Sequence, residues 1–102
     1  MKTYEIRGNI WPWNGETGSW WFFTIPQDIS DEIYFEAKLA NFGPRRGFGS
    51  IKVVAIIGDS IWETSIFPSS KDKCYILPIK KSIRIAEAID GNKEIALRLR
   101  IL

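Results

Sequence analysis

The stretch from Ser50 to Phe67, SIKVVAIIGDSIWETSIF, decides the fold. Apolar and β-branched residues, which favour strands, lie on both sides of the pair Gly58-Asp59. A Gly-Asp pair between two such runs is typical of a tight turn. The stretch therefore predicts a β-hairpin, and the segments around it are interpreted below as further parts of a β-rich domain.

Strands are also predicted on either side of this hairpin. Near the N-terminus, polar and apolar side chains alternate, which predicts one half-buried strand with Tyr4, Ile6 and Ile10 on its apolar face. The chain ends on a strand with one wet face, whose apolar positions are Ile95, Leu97, Leu99 and Ile101. Two shorter runs, WWFFTI (20–25) and CYILPI (74–79), predict further strands, and PWNGETGS (12–19) predicts a turn-rich connection.

Two segments predict short helices. The first begins at Pro26, since proline suits a first helical turn, and ends at Gly43-Pro44. Its apolar stripe is formed by Ile29, Ile33 and Ala37. The second runs from Lys80 to Gly91, where the glycine is expected at the C-terminal cap. Its inward-facing residues are expected to be Ile79, Ile83, Ala86 and Ile89.

About six strands and two helices in one small chain favour a mainly-β barrel or sandwich with helices at its ends. We expect a single domain over residues 1–102. A faint internal echo favours a pseudo-duplicated barrel, because FTIP (23–26) and YILP (75–78) each precede a predicted helix. A serine and an isoleucine follow both prolines at equal offsets: Ser30 and Ile33, then Ser82 and Ile85.

Composition narrows the classes of function. The net charge of +2 creates no strong field toward nucleic acid or an anionic membrane. The one cysteine, Cys74, excludes an intramolecular disulfide, and with no apolar signal stretch it indicates the cytoplasm. No apolar run approaches the ~20 residues that cross a bilayer. Histidine, the commonest metal ligand and general base, is absent, so neither a metal nor a cofactor is expected.

Four segments together resemble a bacterial family catalogued as domain of unknown function nineteen-oh-five. They are WWFFTIP (20–26), RRGFGSIKVVAIIGDSIWETSIFP (45–68), YILPIKKSIR (75–84) and GNKEIALRL (91–99). The resemblance covers nearly the whole chain. It implies a small double-split β-barrel, the architecture of AbrB- and MazE-type regulators, which bind DNA as dimers.

The segment ILPIKKSIRIAEAIDGNKEIALRL (76–99) is similar to a recurrent pattern of those regulators: Ile-Pro, basic helix, Gly-Asp and strand. Asn92 stands where that pattern has an aspartate. Both halves of the barrel lie in one chain here, so a monomer or a weak dimer is expected in place of the obligate dimer. The resemblance implies a fold more than an activity, since the family's function is itself unknown.

The adjacent residues Arg45 and Arg46 are the first candidate binding residues. They lie in NFGPRRGFGSIKV (41–53), where two guanidinium groups and glycine-flanked backbone N–H groups suit a phosphate or carboxylate. The alternative is a turn that ends a helix and starts a strand. The loop lacks the Gly-Lys-Ser/Thr of a P-loop. A tryptophan is expected beside the arginines, and Trp21 is our candidate.

Tryptophans are dense in this part of the chain: Trp11, Trp13, Trp20 and Trp21. Exposed rings stack on bases or sugars, whereas buried rings fill a small core, which is their more frequent use. Adjacent residues of a strand point to opposite faces. One of Trp20 and Trp21 is therefore expected in the core, and the other at a surface groove or beneath a helix.

A basic group at the start of the second helix is the other candidate: Lys80, Lys81 and Arg84. By analogy with the AbrB-type barrels these residues would contact a nucleic-acid backbone. A solvated surface is the alternative interpretation. Positive charge at a helix N-terminus opposes the helix dipole, which favours a use for it.

No pattern in the sequence predicts catalysis. Hydroxyl side chains have no histidine to activate them, and Cys74 precedes an apolar run, which predicts a small buried residue and not a nucleophile. The sequence therefore favours a non-enzymatic binding or interaction module for an unidentified small molecule or protein, anionic if the arginines contact it. A nucleic-acid-binding barrel is the alternative, and an enzyme of unrecognised type comes last.

Overall fold

The computed structural model describes residues 3–15, 18–40, 49–69 and 73–102, without the side chains of residues 37–40. Seven strands and two helices lie in this described part. In chain order they are β1 (Thr3–Gly8), β2 (Ile10–Gly15), β3 (Gly18–Thr24), α1 (Gln27–Ala40), β4 (Ile51–Ile57), β5 (Ser60–Pro68), β6 (Tyr75–Pro78), α2 (Lys81–Ala86) and β7 (Ile95–Ile101).

The strands form one sheet in the order β1-β7-β4-β5-β6-β3-β2. Every neighbouring pair is antiparallel. The sheet curls into half a barrel, and the predicted mainly-β architecture with two helices is confirmed in this form. Because the outermost strands are β1 and β2, the connection at Asn9 carries the chain from one edge of the sheet to the other.

The hairpin of residues 50–67 is confirmed as β4 and β5. Its register runs from Ile51 opposite Ile66 to Ile57 opposite Ser60. Gly58 has a φ of 57°, a backbone conformation that suits glycine in a two-residue turn. Since β4 pairs with β7 on its other side, this hairpin lies in the interior of the sheet.

The core lies on the concave face of the sheet. Alternate residues of each strand point there, so burial alternates along β4 and β7 as the sequence predicts. The most deeply buried side chains come from the five inner strands, from the residue after β3 and from α1; they are Phe23, Ile25, Ile33, Val53, Ile66, Leu77, Leu97 and Leu99. Cys74 is buried as predicted.

The predicted single N-terminal strand is wrong, because the structure divides it into two strands. Ile6 lies opposite Leu97 in β1, whereas Ile10 lies opposite Phe23 in β2. Both are buried, so an unbroken alternation hid the change of neighbour. Part of the predicted turn-rich connection is β2 itself, which tolerates Pro12 because β2 is an edge strand.

The predicted first helix is confirmed as α1 over Gln27–Ala40, and its predicted end at Gly43-Pro44 lies outside the described residues. Pro26 directly precedes it and its carbonyl accepts the first helical hydrogen bond, from the Ser30 N–H at 2.8 Å. Ser30 is buried, and its hydroxyl donates to the Ile25 carbonyl at 2.9 Å and accepts from the Tyr75 N–H at 3.0 Å. This one side chain therefore joins α1 to the ends of two strands.

The second helix is shorter than predicted, and its C-terminal cap is not Gly91. The cap residue is Glu87, followed by Ala88 with a φ of 53°. Ala88 donates to the Ile85 carbonyl at 3.3 Å and Ile89 to the Arg84 carbonyl at 2.9 Å, the two bonds of a Schellman motif. Ala86, the last residue of the helix, is exposed, contrary to expectation.

The internal echo extends only to the two prolines, each of which leads into a helix. Ser30 is buried but Ser82 is exposed, and Ile33 is 0% exposed against 68% for Ile85. The matched positions therefore play different parts in packing. No helix among the described residues is long and apolar enough to cross a membrane.

Candidate binding surface

Aromatic side chains cover the convex surface of β2 and β3. Trp20 and Phe22 are two residues apart in β3, so both point away from the core. Across the strand pair, Trp13 lies directly opposite Trp20, and Trp11 directly opposite Phe22. Each strand contributes two of these rings, and the pairing of β2 with β3 brings all four together on one surface.

We call the surface that these rings share with β5 and β6 the aromatic face; it consists of Trp13, Trp20, Phe22, Phe67, Ile76 and Pro78. These six side chains line a shallow groove of about 310 Å³. Trp13 is 48% exposed and Trp20 52% exposed. The rings of Trp20 and Phe22 lie 6.5 Å apart with their planes within 13° of parallel, so they offer two platforms of one orientation.

Trp11 supports one end of the aromatic face without being fully exposed itself. Its indole Nε1–H donates to the Thr24 hydroxyl at 2.7 Å. Its ring lies 5.2 Å from that of Phe22, tilted by 40°. The hydrogen bond and the ring contact together hold Phe22 at the groove in a defined position.

Trp21 points to the opposite face of the sheet, as adjacent strand residues must. It is half-buried and packs against the core. The Arg84 guanidinium lies over its ring, 5.6 Å from the centroid. The exposed member of the pair is therefore Trp20, and the expectation of one core-packed and one surface tryptophan is confirmed. A binding role for Trp21 stays a prediction.

The other predicted site residues divide into two groups. Arg45 and Arg46 lie outside the described residues, and their binding role stays a prediction. Lys80 and Lys81 are exposed, but Arg84 is half-buried and donates from Nε to the Ile79 carbonyl at 3.3 Å. Arg84 therefore serves to pack α2 against Trp21 and is less available to a ligand than the lysines.

A second depression adjoins the aromatic face, and we call it the split pocket. It has a volume of about 250 Å³ and is lined by Trp20, Trp62, Glu63, Thr64, Pro78, Ile79 and Lys80. Trp20 and Pro78 belong to both depressions. The two therefore form one continuous surface, with an acidic and a basic side chain at one end and aromatic rings at the other.

Another depression, of about 590 Å³, lies on β1, β7 and β4 and is lined partly by Glu5, Arg7 and Arg98. Its charges pair with each other or with neighbours: Arg98 with Glu5 at 3.7 Å, and Arg7 with Glu94 at 3.8 Å. Such exposed pairs contribute little and compensate the charge that a ligand would need. Its size therefore does not make it the better candidate.

The described residues contain no group of three or more His, Cys, Asp or Glu side chains that could hold a metal ion. The buried thiol of Cys74 lies 3.7 Å from the amide oxygen of Gln27, to which it donates. This thiol thus lies in packed surroundings and is not among the residues that line the aromatic face.

Part of this surface could be predicted from the sequence. The density of tryptophans and the opposite orientation of Trp20 and Trp21 follow from the strand pattern alone. Phe67, Ile76 and Pro78 were missed as partners of Trp20, because their proximity depends on the order of β5, β6 and β3. The run Trp20-Trp21-Phe22-Phe23, which places rings on both faces, was the available signal.

The chain belongs to the family described as Domain of unknown function (DUF1905), whose model matches residues 7–99. This confirms the family that the four sequence segments indicate. No curated protein matches the chain. The likeness to AbrB- and MazE-type regulators stays a prediction.

Proposed function

We propose that the chain is a non-enzymatic binding module whose contact surface is the aromatic face. The exposure of Trp13 and Trp20 carries the proposal. Large rings left in water forgo a burial free energy of about 25 cal/mol per Å² of apolar surface. A contiguous group of them is characteristic of an interaction site, whereas scattered exposed apolar residues are ordinary.

The shape of the aromatic face favours ligands with flat or apolar groups. Two near-parallel rings 6.5 Å apart suit stacking partners such as bases, the apolar faces of sugars, or the side chains of a peptide. Arg45 and Arg46 would add an anionic preference if they lie near this face. The proposed module works in the cytoplasm, as the composition favours. It is a monomer or weak dimer, as both halves of the barrel lying in one chain would imply.

A nucleic-acid-binding barrel is the second candidate, and the position of Lys80 favours it. Lys80 lines the split pocket together with Trp20. A cation beside a stacking ring is the combination that single-stranded nucleic acids require. Glu63 in the same pocket and the low net charge of +2 weigh against a strong phosphate interaction.

Replacement of Trp20 tests the proposal. Stacking contributes about 1–3 kcal/mol per ring, so Trp20→Ala should weaken binding roughly 5- to 150-fold. The measurement is tryptophan fluorescence titration against a panel of nucleotides, oligosaccharides and short peptides. Phe35→Ala is the matched control, because Phe35 is an exposed aromatic residue of α1, 61% accessible. Full binding by Trp13→Ala/Trp20→Ala would contradict the proposal.

Retention on heparin tests the second candidate. If Lys80 and Lys81 contact phosphates, retention should fall steeply with salt and be lost in Lys80→Glu/Lys81→Glu. Lys52→Glu/Lys93→Glu, at two exposed lysines outside α2, controls for the same change in net charge. Equal elution of the parent and of Lys80→Glu/Lys81→Glu would exclude nucleic-acid binding by these lysines.

A further inference from the structure

Within the part of the chain that the structure describes, strand β5 has an open backbone edge inside the sheet. In a two-residue hairpin the flanking residues form a hydrogen-bonded pair, here Ile57 with Ser60, and such pairs then alternate along the strands. Trp62, Thr64 and Ile66 therefore bond to β4. Three residues direct their N–H and C=O groups to the other side: Ile61, Glu63 and Ser65.

Among the described residues, the neighbouring strand β6 leaves these groups without a strand partner. β6 pairs with β5 only at Phe67 and Pro68. The next hydrogen-bonded partner of β5, opposite Ser65, would be Pro78, which has no N–H to donate. Ile79 instead donates to the Trp21 carbonyl of β3 at 2.8 Å, so the chain follows β3 and separates from β5.

The split pocket lies in the gap that this separation creates. Glu63 and Thr64 form one wall, and Pro78 and Lys80 form the other. On the strand itself, Ile61 is 67% exposed and Glu63 is exposed. The split pocket therefore leaves space beside β5 at Glu63 and Thr64.

We propose that the open edge of β5 binds an extended peptide segment of another protein, which adds to the sheet as a short strand. An open strand edge recognises such a backbone, because alternate N–H and C=O groups match those of an extended chain. The proposal rests on the aromatic face being a binding surface, since the split pocket joins that face at Trp20 and Pro78.

The aromatic face defines the side chains that the peptide carries. Alternate side chains of an added strand would lie on the convex surface, next to Trp20. An aromatic or branched apolar residue at such a position would pack on the Trp20 ring. Lys80 and Glu63 lie on opposite walls of the split pocket and would favour a segment with both charges or neither.

A second copy of the chain is a poorer occupant of this edge than a free peptide. The two outer edges of the sheet are protected from pairing: β2 contains Pro12, and β1 carries the exposed charges of Glu5 and Arg7. The β5 edge is bordered by the wall of Pro78 and Lys80. A narrow single segment enters such a gap more readily than the edge of a folded sheet.

Selection from a phage-displayed library of unconstrained nonapeptides tests the proposal. Glu63→Pro removes an edge N–H and is the counter-selection bait, whereas Glu63→Ala removes only the side chain. Enriched peptides should bind the parent and Glu63→Ala with similar affinity. Their affinity for Glu63→Pro should be at least about tenfold lower, as expected for lost backbone hydrogen bonds. On binding, the amides of Ile61 and Glu63 should become protected from hydrogen exchange.

A pair of N-methylated peptides decides the case even if Glu63→Pro does not fold. Methyl groups on one set of alternate amides of the best peptide should abolish binding, while methylation of the other set should be tolerated. Equal binding of both, or amides of Ile61 and Glu63 already protected in the free protein, would overturn strand addition. If Trp20→Ala weakens peptide binding but the bound peptide leaves the amides of Ile61 and Glu63 unprotected, strand addition would be overturned. The aromatic face would then stand as the binding surface. If no sequence is enriched from the library, peptide binding would be overturned. The titrations with nucleotides and oligosaccharides would then be the remaining test of the aromatic face.

Discussion

Single residues in unusual positions show where this fold depends on local chemistry. Ala88 adopts a left-handed conformation at the end of α2, a position at which glycine is usual. Gly91 has a φ of 89°, and a Cβ there would lie 2.9 Å from the ring of Trp21 and 3.2 Å from the Ile10 carbonyl. The glycine that the sequence suggested as a helix cap is therefore needed for close packing beneath Trp21.

Ala88→Gly should stabilise the protein. The left-handed conformation costs a residue with a Cβ about 1–2 kcal/mol, and part of the gain is offset by the greater freedom of glycine in the unfolded chain. We expect a net increase of about 0.5–1 kcal/mol in the free energy of unfolding, measured by urea denaturation. Ala86→Gly, at the last residue of the same helix, is the control and should destabilise by up to about 1 kcal/mol. Equal effects of both variants would show that the cap conformation is not the cause.

At the scale of elements, one hydroxyl group links α1 to the sheet. Ser30 bonds to the Ile25 carbonyl and the Tyr75 N–H while being 1% exposed. The helix has only one other deeply buried side chain among its described residues, Ile33. The orientation of α1 on the concave face therefore depends on a polar contact as well as on apolar packing.

Ser30→Ala should destabilise the protein by about 1–3 kcal/mol, since the Tyr75 N–H loses the buried hydroxyl that accepts its hydrogen bond. The midpoint of thermal unfolding reports the loss. Ser82→Ala, at the echoing but exposed position in α2, should change stability by less than about 0.5 kcal/mol. If Ser30→Ala and Ser82→Ala changed the stability equally, the claim that the two serines contribute differently to stability would be wrong.

At the scale of the whole molecule, the individual strands could be predicted from the sequence better than the order in which they pair. The hairpin of Gly58-Asp59 and the alternation of residues 95–101 are local patterns, and both were predicted. The assignment of Ile10 to a strand beside Phe23 instead of beside Leu97 was not, because burial alternates identically in either arrangement.

The candidate surface illustrates the same limit. That Trp20 and Trp21 face opposite ways follows from strand geometry, but which of them is exposed depends on the curl of the sheet and on Arg84 over Trp21. The pairing of β5 with β6 stops before Pro78, a residue with no N–H to donate. The consequence, an open edge beside the aromatic face, became evident only once the order of strands was known.

Alkaline pH should destabilise the whole fold through Tyr4. Burial in the core raises the pKa of the Tyr4 phenol above its ordinary value of 10.0, and the negative charge of Glu36 raises it further. Between the unfolded and the folded pKa, the folded state retains a proton that the unfolded chain releases. The contribution of this group to stability is therefore complete below a pH of about 10 and is lost as the pH rises through the folded pKa.

Urea unfolding at several alkaline pH values tests this contribution. The free energy of unfolding should decline less with pH for Tyr4→Phe than for the parent. Tyr34→Phe, at a tyrosine that is 55% exposed, controls for the loss of a hydroxyl. A parallel decline in Tyr4→Phe and the parent would show that the core phenol does not couple folding to protons.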